Sequence, residues 1–215
     1  MVTTRNNISR KIIDKLRLRK DKIISKKEII ETIEEYQRIY KIKVNILSLW
    51  TYLRKDNYVK RILKDYYYIY SLEEKHNKYC IFSEEELVFL VLKKMKIKWY
   101  LGLESALKKN NLIWQAQNVI IIINNYFSGI KEIKNTKFRF IKTKENKFNM
   151  GLIKKYSNNK VKYSYSDLEK TLLDFIYFNK NISTETMKKN FNFKIRNNKI
   201  KDYLKHYPKK VWEKV

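Results

Sequence analysis

The chain holds a single cysteine, Cys80, which excludes an internal disulfide and a cysteine-based zinc site. Its two histidines, His76 and His206, stand far apart and lack metal-ligating partners at useful spacing. Glycine occurs three times and proline once, leaving few positions for tight turns and pointing to long regular elements. There is no Gly-rich phosphate loop, and no Ser-His-Asp or Cys-His pairing falls at recognisable positions. These absences argue against an enzyme, so no catalytic residue, metal or cofactor is expected. The stretch Met1 to Arg10 is polar and basic, without the apolar core of a signal peptide. Apolar runs such as Val119 to Ile123 are far short of the roughly 20 residues that span a bilayer. The expectation is a soluble, cytoplasmic protein without membrane contact.

What is present is charge of one sign on a chain able to bury a core. The composition is 44% hydrophobic and 14% aromatic. At 215 residues there is room for one large domain or two small ones. Lys and Arg number 49 against 22 Asp and Glu, a formal charge of +27. Such a field attracts polyanions but does not define a fold. Residues 1–70 carry 18 basic and 8 acidic side chains, residues 71–130 carry 8 and 6, and residues 131–215 carry 23 and 8. Two basic segments therefore flank a nearly neutral middle. The lysine excess, with abundant Ile, Asn and Tyr, also fits the bias of an A/T-rich coding sequence.

Periodicity predicts a first helix over Ile8 to Leu18, with Ile8, Ile12, Ile13 and Leu16 on one face. Ser25 and Glu28 form a capping box that opens a second helix to about Arg38. After a link from Tyr40 to Lys43, a third helix buries Ile46, Leu49, Trp50 and Leu53, with Asn45, Ser48, Thr51, Tyr52 and Lys55 opposite. Tyr58 to Leu63 and Tyr66 to Tyr70 are β-favouring runs joined by Lys64-Asp65, which predicts a hairpin. Three helices followed by a hairpin is the order of a winged helix-turn-helix.

The polar stretch Ser71 to Tyr79 is the expected boundary, giving domains over 1–72 and 80–215. A second capping box, Ser83 to Glu86, opens a helix through Leu87, Leu90, Val91 and Met95. A short helix is expected over Leu103 to Lys109 and a buried strand over Asn118 to Ile123. Strands follow at Lys137 to Thr143, Met150 to Tyr156 and Lys160 to Tyr165. Ser166 to Glu169 opens another helix, and two basic helical segments, Ser183 to Phe191 and about Lys199 to Tyr207, finish the chain.

The third helix is the natural recognition helix, because the second helix of a helix-turn-helix enters the major groove. Asn45, Ser48, Thr51 and Tyr52 suit base edges, Asn being a good partner for adenine. Arg54 and Lys55 suit phosphates, and Lys60, Arg61 and Lys64 suit a wing on the DNA backbone. Asp167, Glu169 and Asp174 are carboxylates of the kind metals bind, but the first two read better as helix-start residues facing the dipole. The tyrosines 66, 67, 68 and 70 read as strand residues before they read as base-stacking platforms, and Cys80 as a small core residue.

Four stretches together resemble the AbiEi-like antitoxins of AbiE-type toxin–antitoxin systems. They are the helix-to-wing passage Leu53 to Ile62 ending in Tyr68-Ile69, the segment Trp99 to Leu107 with its Ser-Ala-Leu, the strand Val119 to Ile123, and Ser166 to Asp174 with its Glu-Lys-Thr-Leu-Leu-Asp. Where that family often has Gly at the start of the wing, this chain has Asn57, which tolerates the left-handed region nearly as well. The resemblance implies an autoregulating transcriptional repressor whose N-terminal domain binds double-stranded DNA. It also implies a C-terminal domain that counters a cognate nucleotidyltransferase-like toxin. The expected fold is α+β, an N-terminal winged helix-turn-helix followed by a C-terminal α/β regulatory, antitoxin-like domain, as monomer or homodimer. Two other classes stay open: a nucleic-acid-processing enzyme or its targeting subunit, and a winged-helix adaptor that binds only protein.

Overall fold

The computed structural model describes residues 2–113, 119–178 and 196–214. The protein is a mixed α and β chain that divides into two compact units, Met1–Lys94 and Met95–Val215. No helix among the described residues is long and apolar enough to cross a membrane. The expected helix over Ser183 to Phe191 lies outside the described residues.

The first unit runs α1 (Val2–Arg17), β1 (Ile23–Ser25), α2 (Lys26–Ile39), α3 (Ile46–Lys55), β2 (Val59–Leu63), β3 (Tyr66–Ile69), α4 (Leu72–His76) and α5 (Glu84–Lys94). Its antiparallel sheet has the order β1-β3-β2. On one face, Ile24, Tyr67, Val59 and Ile69 close a core with Ile12, Ile13 and Leu16 of α1, Ile29 and Ile33 of α2, and Leu49 and Leu53 of α3. Alternation along β3 sends Tyr68 to the opposite face. There it is fully buried, with the Phe82 ring edge-on at 5.9 Å, and α5 packs against β1 and β2.

That second face moves the boundary. Ser71 to Tyr79 is not a bare linker. Ser71 caps α4 in a capping box with Glu74. The Glu74 carboxylate is buried and accepts from the Tyr68 hydroxyl at 2.5 Å, the Ser71 N–H at 2.9 Å and the Ile81 N–H at 3.1 Å. Burial raises its pKa, yet these donors outweigh burial and hold it below the usual carboxylate value. Lys94, in the last turn of α5, bonds Asp21 at 2.9 Å and Glu28 at 2.8 Å. The first unit therefore extends through α5 to Lys94 rather than ending at residue 72.

The second unit runs β4 (Trp99–Leu101), α6 (Glu104–Lys109), β5 (Val119–Asn124), β6 (Gly129–Ile133), β7 (Thr136–Lys142), a 3-10 turn (Glu145–Phe148), β8 (Leu152–Tyr156), β9 (Lys162–Ser166), α7 (Leu168–Tyr177), α8 (Asn197–Leu204) and α9 (Lys209–Trp212). The sheet order is β6-β7-β5-β4-β9-β8, with β5–β7 and β4–β9 parallel and the other pairs antiparallel. Ile121 to Asn124 of the interior strand β5 are buried, as a continuous apolar run requires. Leu172, Leu173, Phe175 and Ile176 of α7 pack with Tyr100, Leu103, Leu107, Ile121 and Ile123, and with Ile200, Tyr207 and Val211.

Several boundaries differ from the expectation for physical reasons. β1 has only three residues and owes its strand form to pairing with β3. β6 exposes four of its five residues and carries no alternating pattern. Helix α7 is capped by Asp167, whose carboxylate accepts from the Lys170 N–H at 2.9 Å. The Ser166 hydroxyl, expected to begin that helix, instead meets Thr171 Oγ1 at 2.7 Å.

Candidate functional site

Helix α3 has its sides fixed from both ends and from below. At its start Asn45 adopts extended backbone, and its Oδ1 accepts from the Ser48 N–H at 3.0 Å. This N-cap satisfies one of the free donors of the first turn, an interaction worth about 1 kcal/mol. Leu49 and Leu53 are buried in the core, and the half-buried Trp50 meets the Tyr67 ring edge-on at 4.7 Å. At its end, the Asn57 N–H donates to the Arg54 carbonyl at 3.3 Å and the Tyr58 N–H to the Leu53 carbonyl at 3.0 Å. That is the Schellman pattern, and Asn57 supplies the left-handed residue it needs, at φ +53°. The chain is thereby turned into β2.

The surface left free holds Leu47, Ser48, Thr51, Tyr52, Arg54 and Lys55, all exposed. Ser48, Thr51, Tyr52 and Lys55 were expected there from helical spacing, and Arg54 as a phosphate contact. Asn45 is exposed too, but it lies before the helix as its cap, so one amide oxygen is already engaged. Leu47 was missed: the stripe Ile46, Leu49, Trp50 and Leu53 leaves it off the buried side, which was the available signal. Tyr52 is less free than spacing suggests. Its hydroxyl lies 3.3 Å from that of Tyr58. The Tyr58 ring in turn carries the Lys75 ammonium at 3.2 Å and the Arg17 guanidinium at 4.9 Å from its centre. The bond to Tyr58 pushes Tyr52 up to about 12. The same bond, with Lys75 and Arg17 nearby, pulls Tyr58 down.

The β2–β3 hairpin brings its cations to two faces. Lys60 pairs with Tyr68 and Arg61 with Tyr67, so the two basic side chains point to opposite sides of the sheet. Lys60 is half-buried on the Tyr68 side, and its charge reaches Cys80. Arg61 and Lys64 are exposed. The two-residue turn is completed by Asp65 at φ +61°, in the role Gly commonly fills, and its carbonyl accepts from the Lys26 N–H at 2.8 Å. Tyr67 and Tyr68 are buried and Tyr66 and Tyr70 half-buried, so this run serves the sheet. Half-buried Cys80 has its thiol pushed up by burial.

Asp167, Glu169 and Asp174 of the second unit are held by protein donors. Asp167 Oδ2 accepts from Lys199 Nζ at 2.5 Å and from the Tyr203 hydroxyl at 2.9 Å. Glu169 accepts from the Arg196 N–H at 3.3 Å and from Lys199 Nζ at 3.4 Å. Burial disfavours the Lys199 charge, but Asp167, Tyr203 and Glu169 hold its pKa above the usual lysine value. Deeper, Asp174 accepts from the Tyr207 hydroxyl at 2.6 Å and the Tyr100 hydroxyl at 2.9 Å. Lys170 Nζ lies 3.5 Å from it, and both side chains are fully buried. Burial pulls the Lys170 pKa down against the attraction of Asp174. Nearby Lys147, also buried, donates to the His206 carbonyl beneath the Tyr207 and Tyr177 rings, and burial pulls it down to about 8. Among the described residues, no three His, Cys, Asp or Glu side chains gather where they could hold a metal ion. Among the described residues, these three carboxylates and Lys147, Lys170 and Lys199 form a polar cluster in which each carboxylate accepts from donors of the same unit.

No family model matches the chain, and no curated protein matches it by sequence. Among solved structures, the RV2827C protein from Mycobacterium tuberculosis is similar to it, with a TM-score of 0.59 at 10% identity over 97% of this chain and 74% of that one. At that identity the likeness concerns the fold alone.

Proposed function

We propose that the first unit is a winged helix-turn-helix that binds duplex DNA, with α3 as recognition helix and the β2–β3 hairpin as wing. The observation that carries this reading is the free surface of α3. Ser48, Thr51, Arg54 and Lys55 are exposed together on a helix whose other side is locked into the core. The element order α1-β1-α2-α3-β2-β3 and the sheet order β1-β3-β2 support it, since that succession presents the third helix to a groove and the hairpin to the adjacent backbone. Arg54, Lys55, Arg61 and Lys64 are the phosphate contacts in this reading, and Ser48 and Thr51 the base contacts. Lys60, turned to the other face, contributes less, and Asn45 acts first as a cap.

The protein is in this reading a non-enzymatic transcriptional regulator. The likeness to AbiEi-like antitoxins in Leu53 to Asp174 further suggests that the second unit counters a nucleotidyltransferase-like toxin. Binding isotherms over about 50–300 mM salt test the DNA reading. Each phosphate contact contributes a slope of about −0.9 in log K against log salt. Replacing Arg61 and Lys64 with Gln is expected to weaken binding to all sequences alike and flatten the slope by about 2. An unchanged slope removes the hairpin from the interface.

A further inference from the structure

The following inference rests on the reading of α3 as a recognition helix. Leu47, the second residue of α3, is 75% exposed. It lies in the turn that enters the groove most deeply in this class of docking. Thr51, one turn on and also exposed, is its neighbour on the same face, with Cβ atoms about 5–6 Å apart at this spacing. The side chain best suited to adenine, Asn45, is committed elsewhere. A bidentate contact would need its Oδ1 to accept from adenine N6 while Nδ2 donates to N7. That Oδ1 already accepts from the Ser48 N–H. The leading edge of α3 thus offers an isobutyl group, a threonine methyl and the hydroxyls of Ser48 and Thr51, bordered by Arg54 and Lys55.

The apolar feature on the floor of the major groove is the C5-methyl of thymine. We propose that Leu47, with the Thr51 methyl beside it, reads a thymine methyl, so that the duplex recognised by this protein carries thymine opposite the first turn of α3. Cytosine lacks the methyl, and purines present polar atoms there, so an aliphatic side chain at this point discriminates by apolar contact.

The test uses the full chain and a random-sequence duplex pool from which bound duplexes are enriched. The enriched duplex is then prepared with deoxyuridine in place of thymidine, which removes only the methyl groups. One buried methyl is worth about 0.8 kcal/mol, so wild-type protein is expected to bind the deoxyuridine duplex about fourfold more weakly for each methyl contacted. Leu47→Ala is expected to bind the thymidine duplex more weakly by a similar factor and to have lost most of the deoxyuridine effect. Because Leu47 is exposed, the variant keeps the wild-type melting temperature. Equal affinity of wild type for both duplexes overturns the inference while leaving the DNA reading intact. So does an undiminished deoxyuridine effect in Leu47→Ala, or DNA binding indifferent to Leu47→Ala, which would fit a protein-docking leucine. Failure to enrich any duplex removes the DNA reading and this inference together.

Discussion

Asp174→Ala removes the acceptor on which three donors of the second unit converge. Two tyrosine hydroxyls lose partners at 2.6 and 2.9 Å, and Lys170 loses its counter-charge at 3.5 Å. Lys170 and Asp174 are both fully buried, so water cannot replace the carboxylate without opening the packing. Breaking a buried pair from one side costs about 3–5 kcal/mol. Removing both partners behaves differently, because the buried Lys170 ammonium no longer stands without its counter-charge. Lys170→Met with Asp174→Ala is expected to cost clearly less than the sum of the two single changes. Urea unfolding by fluorescence measures this in a Trp50→Phe background, which confines tryptophan to the second unit. With a slope of about 1–3 kcal/mol per molar urea, the midpoint of Asp174→Ala should fall by about 1 M or more. A loss under about 1 kcal/mol, or strict additivity in the double variant, would refute the account of Asp174 as a structural anchor.

Further expectations concern both units. A fragment of residues 1–94 should show a cooperative unfolding transition by circular dichroism, whereas 1–72 should not, because it strips Glu74 and Phe82 from Tyr68 and α5 from β1 and β2. Gly151→Ala should destabilise the second unit: Gly151 lies at φ +59°, and an added Cβ would stand 2.8 Å from Lys170 Cβ and 2.9 Å from Tyr203 Cε2. A cost of about 1 kcal/mol or more in the same urea assay is expected, and none would show that the backbone relaxes freely. The Glu28 pKa is raised by burial but lowered more by hydrogen bonds from Lys94 and Ser25, for a net downward shift. Its contribution, about 1 kcal/mol or less, is therefore full at neutral pH and fades as pH falls through the carboxylate range to the folded value. Glu28→Gln should be less stable than wild type at pH 7 and differ less at pH 3 when thermal melts are compared.

Much of this architecture is legible in the residues because local and tertiary preferences agree. Ser25 and Glu28 announce α2, Ser83 and Glu86 announce α5, and the Tyr, Val and Ile runs around Lys64-Asp65 announce the hairpin. Where local signals are silent, reading fails. Ile23 to Ser25 is too short to carry a period, and β6 is a strand only because β7 supplies its ladder. Glu74 looks like part of a solvated polar segment, and only the fold reveals that the Tyr68 hydroxyl and the Ser71 and Ile81 N–H groups draw it inside. The same limits apply at the free face of α3. Helical spacing groups Ser48, Thr51 and Lys55 correctly, yet it cannot tell a cap from a first-turn residue at Asn45. It also leaves Leu47 off the buried stripe, a signal that a search for polar residues alone on the free side passes over. Alternation separates Lys60 from Arg61 only once the strand register is fixed.

Among the described residues, the six-stranded sheet ends at β6 and β8, and outer backbone groups of edge strands can template another strand. Both edges carry charge: Lys131 and Glu132 on β6, and the exposed Lys154 and Lys155 on β8. Two like-charged β8 edges meeting in solution place lysines against lysines, a repulsion that opposes the joining of their sheets. The safeguard is electrostatic and therefore depends on ionic strength. Concentrated salt, or a polyanion lying along β8, shortens the reach of the repulsion. The lysine excess thus sets how soluble the folded chain remains as much as what it attracts.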